Sequence, residues 1–367
     1  MYSAKCLFLL HPIFFTKPFL PPRASYEAYL AGIWQRNWLT NDGPLVQELE
    51  EKLRNFLGVN HLVATANGTL ALQFAIRALA QQGEVVITPF SYIATASSVL
   101  WEGCKPVFAD VDPYDFNLSP EKAAALIGPK TKAILATHVF GNSCHIAALE
   151  QLAKDQGLFL IFDGAHAFGT SYRGQSVFAF GDATIGSLHA TKLYHAVEGG
   201  LVATGREQLF HECRFLRNFG HNGPGQFALP GINGKMSELH AAMGLANLAY
   251  LESILQNRKE IWLRYAENLG NSGLQLLALN QESEFNYAYF PVLFSSEGKL
   301  LKTIEKMEAN EVHPRRYFYP ALNEISFLKN KNYPTPLAAD ISRRVLCLPM
   351  YHGMSAAEID YVCSFLI

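Results

Sequence analysis

No Cys-x-x-Cys pair occurs among the six cysteines, at positions 6, 104, 144, 213, 347 and 363. Their long, irregular gaps argue against a disulfide framework and a structural zinc site. The expectation is a reducing compartment, the cytoplasm, and no metal. A basic excess is also missing. Thirty Lys and Arg stand against 32 Asp and Glu, a net charge of −2, so no nucleic-acid partner is expected. Long apolar runs are absent too. The N-terminal run 6–15 is short and contains His11 and Pro12, so it cannot cross a bilayer as a helix. Lys17-Pro-Phe-Leu-Pro-Pro22 follows it where a signal peptide would place small residues. Residues 1–15 therefore read as a strand or an extension upstream of the fold. No membrane partner is expected.

What is present is material for a large core. Of 367 residues, 49% are apolar and 17% charged, which excludes wholesale disorder. That length suggests a large domain, 16–250, and a smaller one, 251–367. Leu45, Leu49, Leu53 and Phe56 recur at helical spacing after the turn Asn41-Asp42-Gly43-Pro44. Short apolar runs follow at His61–Thr65, Glu84–Ile87, Lys105–Phe108, Ala133–Ala136, Leu158–Phe162, Ala183–Gly186 and Leu201–Thr204. Helical patterns separate most of them; one opens at Ser119-Pro120 and stops at Gly128-Pro129. The alternation predicts an α/β fold with a mostly parallel sheet and helices on both faces. One long helix is predicted from Ser237 to about Arg258, with mixed α+β structure beyond it. The Gly- and Pro-rich loop Gly223–Gly231 is long enough to be functional.

Open parallel sheets bind ligands at the carboxyl ends of their strands, and three such places carry chemistry. Asn67-Gly68-Thr69-Leu70 joins a strand to a helix; it is an anion seat or a plain helix cap. Asp163 follows an apolar strand; it can bind a metal, act as a base, hold a protonated ring nitrogen or cap a helix. His166, three residues on, is a ligand or a hydrogen-bonded core residue. Lys192 follows Ser187-Leu-His-Ala-Thr and precedes Glu198-Gly-Gly200. Desolvated, its amine would be nucleophilic; on a surface it would be inert. Pyridoxal 5′-phosphate would use all three places at once. It needs an anion seat (Gly68, Thr69, Ser187), a carboxylate for its ring nitrogen (Asp163), an aromatic against its ring (Tyr92) and a lysine for its aldehyde (Lys192).

The ordered set of motifs resembles the DegT/DnrJ/EryC1/StrS family of sugar aminotransferases, pyridoxal-phosphate enzymes of fold type I. The landmarks are Lys17–Pro22, Trp38–Pro44, Asn67–Leu72, His138–Asn142, Asp163–His166, Gly181-Asp182, Ser187–Lys192, Glu198–Gly200 and Gly231–Glu238. The resemblance implies catalysis by Lys192 and Asp163, with His166 facing the cofactor's phenolic oxygen and Tyr92 stacked on its ring. It implies phosphate contacts from Gly68, Thr69, Leu70 and Ser187, and from Asn233 of a second copy in a homodimer with shared sites. Phe162, Gly164 and Lys235 depart from the family's common residues, none at a position the chemistry requires. Glutamate and a dTDP-linked keto-deoxysugar are the implied substrates, with amination at C4 of dTDP-4-keto-6-deoxyglucose. Thr40, Asn41, His189, Tyr194, Arg315, Arg316 and Tyr317 are the candidate substrate contacts. Deoxysugar and polysaccharide biosynthesis, O-antigen included, is the implied setting. Amination at C3, sugar dehydration on the same fold and a non-catalytic regulatory role are the alternatives. Lys192 argues against dehydration, where His takes the place of that lysine. No G-x-G-x-x-G follows the first strand, which argues against a nicotinamide dehydrogenase.

Overall fold

A computed structural model describes residues 11–328 and 333–367. Seven strands form the central sheet: β1 (His61–Thr65), β2 (Glu84–Ile87), β3 (Lys105–Phe108), β4 (Thr131–Thr137), β5 (Phe159–Asp163), β6 (Ala183–Ser187) and β7 (Gly200–Thr204). Their order is β1-β7-β6-β5-β4-β2-β3, and β7 alone runs against its neighbours. The strands are short and apolar on both faces because both faces are covered. On one face, Val86, Ile134, Leu160 and Phe162 belong to a core that also takes Ile146 and Leu149 of the helix Ile146–Gln156 and, at the β1 edge of the sheet, the buried side of helix α1 (Pro44–Leu57). On the other, Val85, Ile87, Leu135 and Ile161 pack against α2 (Gly68–Ala80) and α3 (Ile93–Trp101).

Register sets the site. Thr137 pairs with Asp163 and Asp163 with Ile185, so the ends of β4, β5 and β6 lie side by side. Gly200 pairs with both Thr65 and Ser187, which brings the lysine loop against the turn after β1. Only glycine fits there: a Cβ at position 200 would lie 2.4 Å from the Asn67 carbonyl carbon.

Several elements differ from expectation. The buried stripe of α1 is Leu45, Val46, Leu49, Leu53 and Leu57, while Phe56 is exposed and stacks on Phe168. The helix opened by Ser119 ends at Ala124, before Gly128-Pro129. The single helix expected from Ser237 is two, α4 (Glu238–Leu248) and α5 (Leu251–Leu269). α4 is buried on nearly every side through Ala241–Asn247, whereas α5 buries one stripe, Leu251, Ile254, Arg258, Ile261, Tyr265 and Leu269. Two different burial patterns cannot continue one straight axis, and the break falls at Ala249-Tyr250.

Beyond α5 an antiparallel sheet runs β8 (Gln275–Leu276), β9 (Phe290–Leu293) and β10 (Val345–Leu348). Of the N-terminal stretch, residues 1–10 lie outside the described residues. Ile13 and Phe14 form a strand, one of its two expected outcomes, paired parallel with Val312 and His313.

Candidate active site

A cavity of about 360 Å³ opens at the carboxyl ends of β1, β4, β5 and β6. Its anion seat is the first turn of α2. Asn67 caps that helix, its Oδ1 accepting the Leu70 N–H at 2.9 Å. Gly68 and Thr69 line the cavity together with Ser187. A Cβ at Gly68 would sit 3.1 Å from Ser187 Cβ, so glycine lets the start of α2 lie close against the end of β6. Leu70 does not take the phosphate-binding place expected of it. Its amide is spent on the cap, and Leu72 rather than Leu70 lines the wall.

Asp163 closes β5 and is buried. Its Oδ2 accepts from Thr95 Oγ1 at 2.8 Å and its Oδ1 from the Ala165 N–H at 3.1 Å. Burial pushes its carboxyl upward; the Ala165 amide, the Thr95 hydroxyl and the Lys192 charge pull the other way. Lys192 shares the cavity, on the loop after β6. Burial lowers its amine to about 8, and the Arg315 charge adds to this while Asp163 opposes it. The loop is held tightly, with Ala190 N–H donating to Val197 O at 2.7 Å and Ala196 N–H to Leu188 O at 2.8 Å. Val197 closes it at φ +67°, a strained value for a β-branched residue.

His166 is buried, and its Nε2 lies 3.3 Å from the Tyr317 hydroxyl while its Nδ1 has no protein partner. Burial, then the Lys192 and Arg315 charges, drive its titration well below the ordinary range, so the ring is neutral. Tyr92, half exposed before α3, meets Tyr317 edge-on at 6.3 Å on the cavity wall. Arg315 also lines the cavity, its guanidinium 4.7 Å from the Tyr317 ring centre and 5.8 Å from that of Phe15.

These features suit covalent carriage of an amine, and the comparisons agree. The chain matches the DegT/DnrJ/EryC1/StrS aminotransferase family over residues 23–367. It is 37% identical over 358 residues to dTDP-4-amino-4,6-dideoxy-D-glucose transaminase of Shigella dysenteriae, covering 96% of this chain and 98% of that one. The chain belongs to the DegT/DnrJ/EryC1/StrS aminotransferase family. The crystal structure of DesI in the presence of its TDP-sugar product superposes with a TM-score of 0.92 at 34% identity, over 98% of this chain and 93% of that one. The sugar aminotransferase Spr1654 of Streptococcus pneumoniae, solved in PLP and PMP forms, shares the fold at TM-score 0.89 and 24% identity. Its PLP form covers 95% of this chain and 97% of its own. The activity that goes with the family is amino transfer to nucleotide-linked sugars, and pyridoxal 5′-phosphate is its cofactor.

The aminotransferase site fits that cofactor. The unpartnered Nδ1 of buried His166 awaits a polar partner, and Lys192 and Asp163 share one cavity with Gly68, Thr69 and Ser187. His189 and Tyr317 also line the cavity, and Glu198, unassigned in the sequence reading, lies 3.6 Å from His189 Nε2. Tyr194 does not line it. Its ring is buried on Phe168 and its hydroxyl donates to Gly244 O at 2.9 Å. Arg316 is committed elsewhere: it pairs with Glu297 at 2.6 Å and lies flat on Tyr319 at 3.4 Å. Thr40, Asn41 and Asn233 are exposed and outside the cavity of their own chain, and Asn233 Oδ1 accepts from Lys235 Nζ at 2.7 Å. Sequence reasoning missed Ser91, Thr95 and Thr137, whose hydroxyls line up toward Asp163. Thr95 stands three residues after Tyr92 in a helix's first turn, a legible spacing. Thr137 becomes visible only once β4 is known to lie beside β5.

Proposed function

We propose that this aminotransferase moves the amino group of glutamate to C4 of dTDP-4-keto-6-deoxyglucose, giving dTDP-4-amino-4,6-dideoxyglucose. The observation that carries the amino-transfer site is the single cavity joining Lys192, Asp163 and the seat of Gly68, Thr69 and Ser187. The choice of sugar leans on the relative from Shigella dysenteriae named for that product and on DesI with its TDP-sugar.

Bound here, pyridoxal phosphate supplies an aldehyde that carries the amino group and a ring that accepts electrons. The chain's own residues do the rest. Gly68, Thr69 and Ser187 hold the phosphate. Tyr92 covers the ring, Asp163 holds the proton of its nitrogen, and neutral His166 meets its phenolic oxygen. Lys192 Nζ would hold the aldehyde, and the same amine, once free of it, would move the proton of the substrate carbon. An amine brought down to about 8 is about one-tenth neutral at pH 7, a few hundredfold more than one left at 10.5, and both roles need the neutral form. Arg315 receives a carboxylate or diphosphate, and His189 and Tyr317 set which sugar carbon faces the amine. A register error of one bond would spoil the approach geometry.

The reading includes a homodimer. Asn233, Thr40 and Asn41 stand outside their own cavity beside the exposed Trp38, Leu39 and Ile232, which suits a second copy completing the site. Cytoplasmic placement is part of the reading, in keeping with the free thiols of Cys104, Cys144, Cys213, Cys347 and Cys363.

NMR of the product made from dTDP-4-keto-6-deoxyglucose and glutamate tests the substrate. Nitrogen on C4 is expected. Nitrogen on C3, or turnover only of a 3-keto isomer, overturns it.

A further inference from the structure

Asp163 is the end of a line of hydroxyls. Thr95 Oγ1 donates to its Oδ2 at 2.8 Å, Ser91 Oγ lies 2.7 Å from Thr95 Oγ1, and Thr137 Oγ1 lies 3.0 Å from Ser91 Oγ. All three residues are buried. Each hydroxyl owns one proton, and a carboxylate only accepts. Thr95 must therefore spend its proton on Asp163. The bond between Ser91 and Thr95 is then donated by Ser91, and the bond between Thr137 and Ser91 by Thr137. Every O–H dipole in the line points at the carboxylate. Two elements hold it: Thr137 ends β4 in register with Asp163, and Ser91 and Thr95 flank the start of α3.

The need for such a line follows from the surroundings of Asp163. Burial favours its neutral form. The neighbouring titratable groups give little help. Burial holds His138 near 3 and keeps it neutral; His166 is neutral as well. Cys144, on the loop after β4, is pushed far above its usual value and stays a thiol. Lys192 favours the carboxylate only while protonated, and it loses its charge above about pH 8. Hydrogen bonds then carry the stabilisation alone, from the Ala165 amide and from Thr95.

We infer that Thr95, oriented by Ser91 and Thr137, is a positioning residue that keeps Asp163 ionised for the proton of the cofactor's ring nitrogen. This rests on the proposed placement of Asp163 at that nitrogen.

The test is cofactor affinity against pH. Full-length protein freed of cofactor is titrated with pyridoxal phosphate between about pH 5 and 9, for the wild type, Thr95→Val, Thr95→Ser and Asp163→Asn. Breaks from the cofactor's phosphate and from Lys192 are common to all four. The break that Asp163→Asn removes belongs to the carboxylate. Thr95→Val should move that break up by about one pH unit, the size of a lost hydrogen bond to a charged group, and Thr95→Ser should leave it in place. Should Thr95→Val not fold, judged by circular dichroism and melting, Ser91→Ala replaces it and should shift the break in the same direction. A wild-type break in the valine variant, or equal shifts in valine and serine, overturns the line's role. If Asp163→Asn removes no break, the placement of Asp163 itself is overturned, which separates the two failures.

Discussion

The floor of the cavity is built from strand ends, and its rim from loops. On the floor, Asp163, Thr137 and Ser187 are locked by register, and the loop carrying Lys192 is tied to itself by Ala190 N–H to Val197 O and Ala196 N–H to Leu188 O. On the rim, neighbours in sequence part company. Arg315 faces the cavity while Arg316 is pinned to Glu297 and Tyr319. Position in a parallel sheet is settled by backbone hydrogen bonds, so a floor residue's place follows from its strand. A rim residue's place depends on whichever side chain reaches it first.

Substitutions on the floor should therefore be far more damaging than those on the rim. Lys192→Ala should cost about ten-thousandfold in turnover, because anchor and proton carrier go together. Borohydride reduction followed by peptide mass mapping should place the cofactor on Lys192 in the wild type; label on another lysine breaks the assignment. The amine also sets a pH window. Its value is lowered to about 8, so the neutral form gains ground as pH rises through 8 rather than 10.5. The rate at which cofactor-free protein develops its visible band should level off above about pH 8. Asp163→Asn should still bind cofactor yet lose turnover about a hundred- to thousandfold, the usual size for one preorganised electrostatic group. Near-normal turnover would show that the carboxylate is not at the ring nitrogen.

The same contrast explains what was legible in the sequence. All seven central strands are readable from their short apolar runs, and Asp163, Ser187 and Lys192 from standing just after or at the ends of such runs. The two-helix break at Ala249-Tyr250 was not readable, since no Gly or Pro marks it and only a change of buried face causes it. Tyr194, a substrate contact implied by the resemblance, stands two residues after Lys192. The loop turns it inward, onto Phe168 and Gly244. Leu70 sits in the right helix turn, but the Asn67 cap consumes its amide. In both cases the deciding partner is distant in sequence or is a competing hydrogen bond.

The two arginines test the rim within one dipeptide. Arg315→Ala should raise KM for the anionic substrate it receives about ten- to hundredfold, as loss of a charged hydrogen bond would, with a smaller change in kcat. Arg316→Ala should leave KM within about twofold. It removes a partly exposed ion pair worth about 1 kcal/mol or less, which a melting curve reads as a few degrees at most. Equal KM effects would show that Arg316 leaves Glu297 when substrate binds, and the rim would then be less settled than its geometry indicates.

The smallest effect belongs to Tyr194→Phe. The ring stays, so packing on Phe168 is kept; only the hydroxyl donated to Gly244 O is lost. That carbonyl is buried in α4, and leaving it short of a donor should cost about 1 kcal/mol. In a chain of this size the melting temperature should fall by only a few degrees. Burial already pushes the phenol far above its ordinary range, so no ionised form is lost and the pH profile of turnover should not move. Kinetic constants for both substrates should match the wild type. A Tyr194→Phe enzyme with raised KM for the sugar and an unchanged melt would return this side chain to the rim, because a purely structural hydroxyl cannot weaken binding while leaving stability intact.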